Sequence, residues 1–190
     1  AYGLVSHRHT PEMEQEIGGQ VLFTPHLAPM SRGILATCYA RPISANTTTE
    51  SLLQVLAETY KNEKFIVVGE EIPSTKSTQG TNAVHITARY DARTGYAIVI
   101  AALDNLTKGA SGGAVQSANV ALGLEESHGL RRVAAAAQAH DGGHAGVVPP
   151  VDVVFVDQLR QLALTGHDVG EVEACKLVLL GRRRIDQSTR

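Results

Sequence analysis

The chain has 190 residues, 43% hydrophobic and 19% charged, which is enough to bury the core of one domain and too apolar for disorder throughout. Its formal net charge of -2 removes any global electrostatic reason to expect nucleic acid or an anionic membrane as partner, so any anion site must be local. Cys38 and Cys175 are too few and too distant for a disulfide framework, no CxxC pair is present, and no apolar run approaches the roughly 20 residues that span a bilayer; a cytoplasmic protein without a metal site is expected.

The opening, Ala1 to His9, lacks the charged-then-apolar order of a signal peptide. It enters a motif-rich segment without a methionine, so Ala1 is not expected to be a natural start. From Thr10 to Ile17 a short helix is predicted, with Thr10 as cap, Pro11 in the first turn and glutamates complementing the dipole. Gly18-Gly19 ends it, and a strand from Gln20 to Thr24 is expected to break at Pro25-His26-Leu27-Ala28-Pro29. Gly33 to Tyr39 reads as a second strand. Thr47 and Glu50 have capping-box spacing before a helix at about Thr49 to Lys61, whose apolar face is Leu52, Val55, Leu56 and Tyr60.

Alternation of Val84, Ile86, Ala88 and Tyr90 with polar residues marks a half-buried strand. Across the turn Asp91 to Gly95 it pairs with Tyr96 to Leu103 in an antiparallel hairpin. The glycine-rich Lys108 to Gly113 leads into a small-residue helix predicted to pack through Ala114, Val115, Ala118, Ala121 and Leu122, and to close at Gly123. Beyond Leu130 an alanine run and Asp141 to Gly146 read as a boundary or linker. Val151 to Val156 suits a strand and Asp157 to Leu164 a helical turn or two, while Arg182 onward is a polar end.

Several residues have chemistry to offer. His7 and His9 frame the start of a helix with Glu12 three positions on, a placement that suits an oriented acid/base histidine and equally suits two polar loop residues. Arg32, after the turn at Pro29, is placed either to clamp an oxyanion or to lie in solvent. Lys108 and the backbone N-H groups of the following glycines form a possible anion cradle, although the spacing is not that of a Walker motif. Gly109-Ala110-Ser111-Gly112-Gly113 formally matches GxSxG, yet Asp104 to Lys108 intervene between the strand end and Ser111. Cys38, in an apolar strand, reads as a small buried hydrophobe rather than a nucleophile, and Cys175 likewise.

Taken in order, His7-Arg8-His9-Thr10-Pro11-Glu12-Met13-Glu14-Gln15, Phe23 to Ile34, Pro73-Ser74-Thr75-Lys76, Gly80-Thr81-Asn82 and Asp104 to Gln116 resemble the second half of the N-acetyl-gamma-glutamyl-phosphate reductases, over about Ala1 to Leu130. The resemblance implies an α+β fold with a mixed, largely antiparallel sheet covered by helices, like the C-terminal domain of glyceraldehyde-3-phosphate dehydrogenase-type enzymes. It implies residues 1–130 as a catalytic and dimerisation domain, residues 131–190 as an unassigned extension, and a homo-oligomer formed through the sheet face. It also implies reductive dephosphorylation of an acyl phosphate with NADPH in arginine biosynthesis, by covalent catalysis through a cysteine.

Carried onto this chain, the family pattern makes His9 the proton-handling residue with Glu12 orienting it, and His7 and Arg32 substrate contacts. Asn105, Lys108 and Gly109 then lie near NADP. The family's dinucleotide-binding turn and nucleophilic Asn-Pro-Gly-Cys-Tyr motif belong upstream of Ala1, and Cys38 sits at a different position. The 190-residue chain alone is therefore expected neither to bind NADP strongly nor to catalyse reduction. A non-catalytic dimerisation fragment and a hydrolase using Ser111 are the competing readings.

Overall fold

The computed structural model describes residues 1–132 and the strand Val151–Leu159. A six-stranded sheet forms the centre, with order β1-β6-β2-β5-β4-β3: β1 (Val21–Ala28), β2 (Ile34–Ala40), β3 (Ile66–Val68), β4 (Val84–Asp91), β5 (Tyr96–Leu103) and β6 (Val151–Leu159). The pairs β1/β6, β2/β5 and β5/β4 are antiparallel, and β2/β6 and β4/β3 parallel. This is the mixed, largely antiparallel α+β sheet expected.

The β4–β5 hairpin carries the core. Val84, Ile86, Ala88 and Tyr90 oppose Leu103, Ala101, Val99 and Ala97, and one more strand across stand Ile34, Ala36, Cys38 and Ala40. On that face lies α2 (Thr49–Tyr60), which buries Leu52, Leu56 and Tyr60 against Ile66, Val84, Ile86 and Ala101. A second cluster, Ile17, Val21, Phe23 and Cys38, forms where α1 (Thr10–Ile17) meets β1, and Val99 touches both. Helices α1 and α2 thus cover one face of one sheet. The opposite face carries Leu35, Thr37, Tyr39, Ile98 and Ile100, all half-buried.

Four local expectations are corrected. The strand β1 does not break at Pro25 but runs through it to Ala28. In an antiparallel ladder a residue's N-H and C=O point to the same side, and the Pro25 carbonyl accepts the Tyr2 N-H at 3.1 Å on the outer edge; the missing proline N-H therefore costs no bond to β6. The cap of α2 is Thr48 rather than Thr47: Thr48 Oγ1 accepts the Ser51 N-H at 3.2 Å and Ser51 Oγ accepts the Thr48 N-H at 2.9 Å. Thr47 is instead buried, its hydroxyl donating to the Ser44 carbonyl at 2.8 Å.

The helix α4 (Gly112–Ala121) turns its predicted face outward. Val115 is 42% and Leu122 73% exposed, while Gly112, Gln116 and Asn119 are buried. The side-chain amides decide the orientation, because Asn119 caps the Glu126 and His128 carbonyls and Gln116 bridges Asn82 and Glu126. Gly123, at φ 69°, does close the helix. Finally, Asp157 to Leu159 continue β6 rather than starting a helix; residues 160–164, the linker at 133–150 and the polar end fall outside the described residues. The short strand β3 and α3 (Thr75–Thr78) were not foreseen.

Candidate functional site

Two groups of the singled-out residues come together at different places. The first lies along the outer edge of β1, where residues 1–9 fold back on the sheet. His7 forms edge-on ring contacts with Tyr2, His9 and Phe23, at centroid distances of 5.4, 5.0 and 4.9 Å. Its Nδ1 accepts the His9 backbone N-H at 3.2 Å. A neutral His7 therefore carries its proton on Nε2, and its ring is held from several sides. Gly3 is needed for this packing, with φ 56° and a would-be Cβ only 2.8 Å from His7 Cδ2.

His9 is the cap residue of α1, where Thr10 was expected, and it is exposed; its carbonyl starts the helix by accepting the Met13 N-H at 3.0 Å, but its side chain makes no capping bond. Glu12 is exposed in the first turn, and no hydrogen bond joins it to His9 among the described residues. The better oriented of the two imidazoles is His7. The helix beneath them is pinned to β1 by Glu14 Oε1, which accepts the Val21 N-H at 3.1 Å.

The second group lies where β5 leaves the sheet. Asp104 is fully buried and accepts from Arg32 Nη2 at 2.7 Å and from the backbone N-H groups of Gly80, Leu106 and Thr107 at 2.5, 2.9 and 3.1 Å. Burial pushes its carboxyl up, but the guanidinium and those three N-H groups together outweigh burial and hold it below the ordinary carboxylate range. The side chain of Asn105 completes the clamp, its Oδ1 accepting the Gly33 N-H at 2.7 Å. Gly33, at φ 122°, has Thr75 Cβ 2.5 Å from where a Cβ would stand. One pair of residues thus ties together the β1–β2 turn, the 78–82 turn and the exit of β5.

Beyond Leu106 the chain makes a π turn, Thr107–Ser111, before α4. Lys108 Nζ donates to Gln116 Oε1 at 2.8 Å and lies 5.8 Å from the Phe65 ring centroid. The Gly109 N-H donates to the Asp104 carbonyl at 3.0 Å. Gly112 is required by its neighbours, since a Cβ would collide with Asn82 Oδ1 and the Thr107 carbonyl. Asn105, Lys108 and Gly109 thus each make a bond within the fold. Ser111 sits in an unstrained helical conformation, φ -60° and ψ -41°, with its hydroxyl donating to the Leu106 carbonyl at 2.7 Å. That geometry differs from the strained strand-to-helix elbow that a nucleophilic serine requires.

Cys38 is buried in β2, facing Ile17 and Phe23, whereas Cys175 lies outside the described residues. Among the described residues there is no group of three His, Cys, Asp or Glu able to hold a metal ion, and no helix long and apolar enough to cross a membrane. Sequence reasoning missed Asp104 as the hub. A local signal existed, because an aspartate at a strand end that accepts the N-H two residues on forms an Asx-turn. Its longer-range partners, Arg32 and Gly80, are not readable from spacing.

Residues 1–105 match the family described as the semialdehyde dehydrogenase, dimerisation domain. The chain is also similar to proteins named N-acetyl-gamma-glutamyl-phosphate reductase. In Thermoanaerobacter sp. (strain X514) the identity is 46% over 138 residues, covering 68% of this chain and 40% of the relative. In Arthrobacter sp. (strain FB24) it is 50% over 132 residues, 65% and 38% respectively, and in Geobacter sulfurreducens 48% over 143 residues, 70% and 41%. The chain spans about two fifths of the length of these curated relatives.

Proposed function

Because the chain belongs to the semialdehyde dehydrogenase family through its dimerisation domain, we propose that it is the catalytic and dimerisation part of an N-acetyl-gamma-glutamyl-phosphate reductase. The observation that carries this reading is the identity of 45 to 50% to proteins of that name over about 130 to 140 residues. In this reading the substrate is the acyl phosphate, the product is the semialdehyde, and the pathway is arginine biosynthesis in the cytoplasm. Residues 1–130 are the catalytic and dimerisation domain, and residues 131–190 an extension that contributes β6 to its sheet. Self-association uses the sheet face of Leu35, Thr37, Tyr39, Ile98 and Ile100.

The chemistry assigned to this chain is proton handling and substrate positioning. His7 and His9 form the proton-handling pair, with His7, its Nδ1 already bonded, offering Nε2 to the reacting group. Glu12 supports the first turn of α1 beside them. NADPH would supply hydride when bound, and Asn105, Lys108 and Gly109, each already bonded within the fold where β5 leaves the sheet, are the residues of this chain that would lie near it.

The test joins the upstream part of the Geobacter sulfurreducens relative to this chain and follows phosphate-dependent oxidation of N-acetylglutamate semialdehyde with NADP. Turnover by the fusion is expected, with none from the 190-residue chain alone. His7→Asn and His9→Asn are each expected to lower kcat about 10²- to 10⁴-fold, the usual worth of a positioned acid/base. A folded but inactive fusion, or turnover by the chain alone, overturns the reading.

A further inference from the structure

Arg32 is held by Asp104 at one nitrogen only. The carboxylate takes Nη2, whereas Nε is buried and finds no acceptor among the described residues. The side chain keeps 27% of its surface exposed, which leaves Nη1 as the donor facing solvent. A buried donor without an acceptor is unfavourable, so natural structures fill such places with water or a ligand. The guanidinium is also rigidly placed. Its carboxylate partner is fully buried and fixed by three backbone N-H groups, and the next residue, Gly33, is locked by Asn105 Oδ1 and by contact with Thr75.

We propose that Asp104 is a positioning residue that presents the remaining Nε and Nη1 donors of Arg32 to a small oxyanion, a carboxylate or phosphoryl group carried on the substrate. Because Asp104 already neutralises the guanidinium, attraction comes from aimed hydrogen bonds rather than from net charge, and oxyanions that offer two acceptor oxygens are preferred over chloride. This rests on the reductase reading only for the identity of the substrate; the anion site is testable without turnover.

The experiment uses the 190-residue chain labelled with ¹⁵N-arginine, with inorganic phosphate and acetate as probes and chloride as control. The Arg32 Nε-H resonance is expected to move saturably with an oxyanion and not with chloride. Nη1 and Nη2 are expected to give separate resonances, the sign of a guanidinium that cannot rotate. Arg32→Lys should weaken phosphate binding by about tenfold or more, because it removes the planar fork. Asp104→Asn discriminates the two possible roles. If Asp104 positions Arg32, the variant binds phosphate more weakly and loses its preference over chloride; if it only neutralises charge, binding tightens.

An unmoved Nε-H resonance in the unsubstituted chain overturns the anion site. Averaged Nη resonances, or tighter binding by Asp104→Asn, overturn the positioning role. Since the Nη measurement needs no variant, poor folding of Asp104→Asn leaves both arms decidable. An inactive fusion with an intact oxyanion response would count against the reductase reading alone.

Discussion

Replacing Asp104 with alanine removes the acceptor of four donors at once. The three backbone N-H groups come from Gly80, Leu106 and Thr107, and each buried donor left unpaired costs about 1–3 kcal/mol. Water entering the space of the lost carboxylate satisfies part of that demand, so the lower end applies to each. Arg32 also loses its counter-charge, but its partial exposure softens the effect. The sum is about 3–5 kcal/mol, which agrees with the general cost of breaking a buried ion pair from one side. In a chain of this size that lowers Tm by roughly 2–4 °C per kcal/mol. Urea unfolding followed by circular dichroism should show a lower midpoint with an unchanged slope. Asp104→Asn, which keeps one oxygen for Leu106 and Thr107, should lose less. A loss under about 1 kcal/mol for the alanine variant would refute the hub, because it would mean the N-H groups are already satisfied elsewhere.

Other outcomes follow from the same structure. Gly33→Ala meets both a left-handed φ of 122° and the Thr75 side chain, so it should destabilise by about 2 kcal/mol or more in the same unfolding assay. Leu56→Ala opens a cavity under α2, where Leu56 is 3% exposed, with an expected cost of about 2–5 kcal/mol. Burial holds His85 below the ordinary histidine range, so the folded state prefers its neutral ring. Its contribution is intact above the unfolded value and falls as pH drops below about 6.5, a slope that His85→Gln should flatten in urea midpoints measured from pH 8 to 5.

Much of the sheet was legible because its periodicities are local. Val84, Ile86, Ala88 and Tyr90 alternate cleanly, and the Asp91 to Gly95 turn fixes their register against β5. Helix α2 announced itself by the spacing of Leu52, Leu56 and Tyr60. The errors arose where a long-range partner overrode local preference. Pro25 stays in a strand because Tyr2 bonds its outer side, and α4 is oriented by amides whose partners lie on other elements. The site was legible to a smaller extent. His7 and His9 stood out from spacing near a helix start, but which ring is fixed depends on Phe23 and Tyr2 across a fold-back. Arg32 was noticed as a charge after a turn, and its tie to Asp104 spans 72 residues.

One feature of the sheet bears on how the molecule assembles. The strands β1 and β2 follow each other through residues 29–33 yet do not pair; β6, more than 100 residues later, is inserted between them, antiparallel to one and parallel to the other. Until that strand arrives, two facing rows of backbone donors and acceptors stand open, which invites pairing with other chains. The limb made of α1 and β1, which carries His7 and His9, is thereby joined to the β2–β5–β4 core by the slowest kind of contact to form, one that closes a long loop. The core strands and α2 can settle early, whereas the histidine limb reaches its place only when the sheet is sewn through from the far end of the described chain, so its folding is the step most exposed to misassembly.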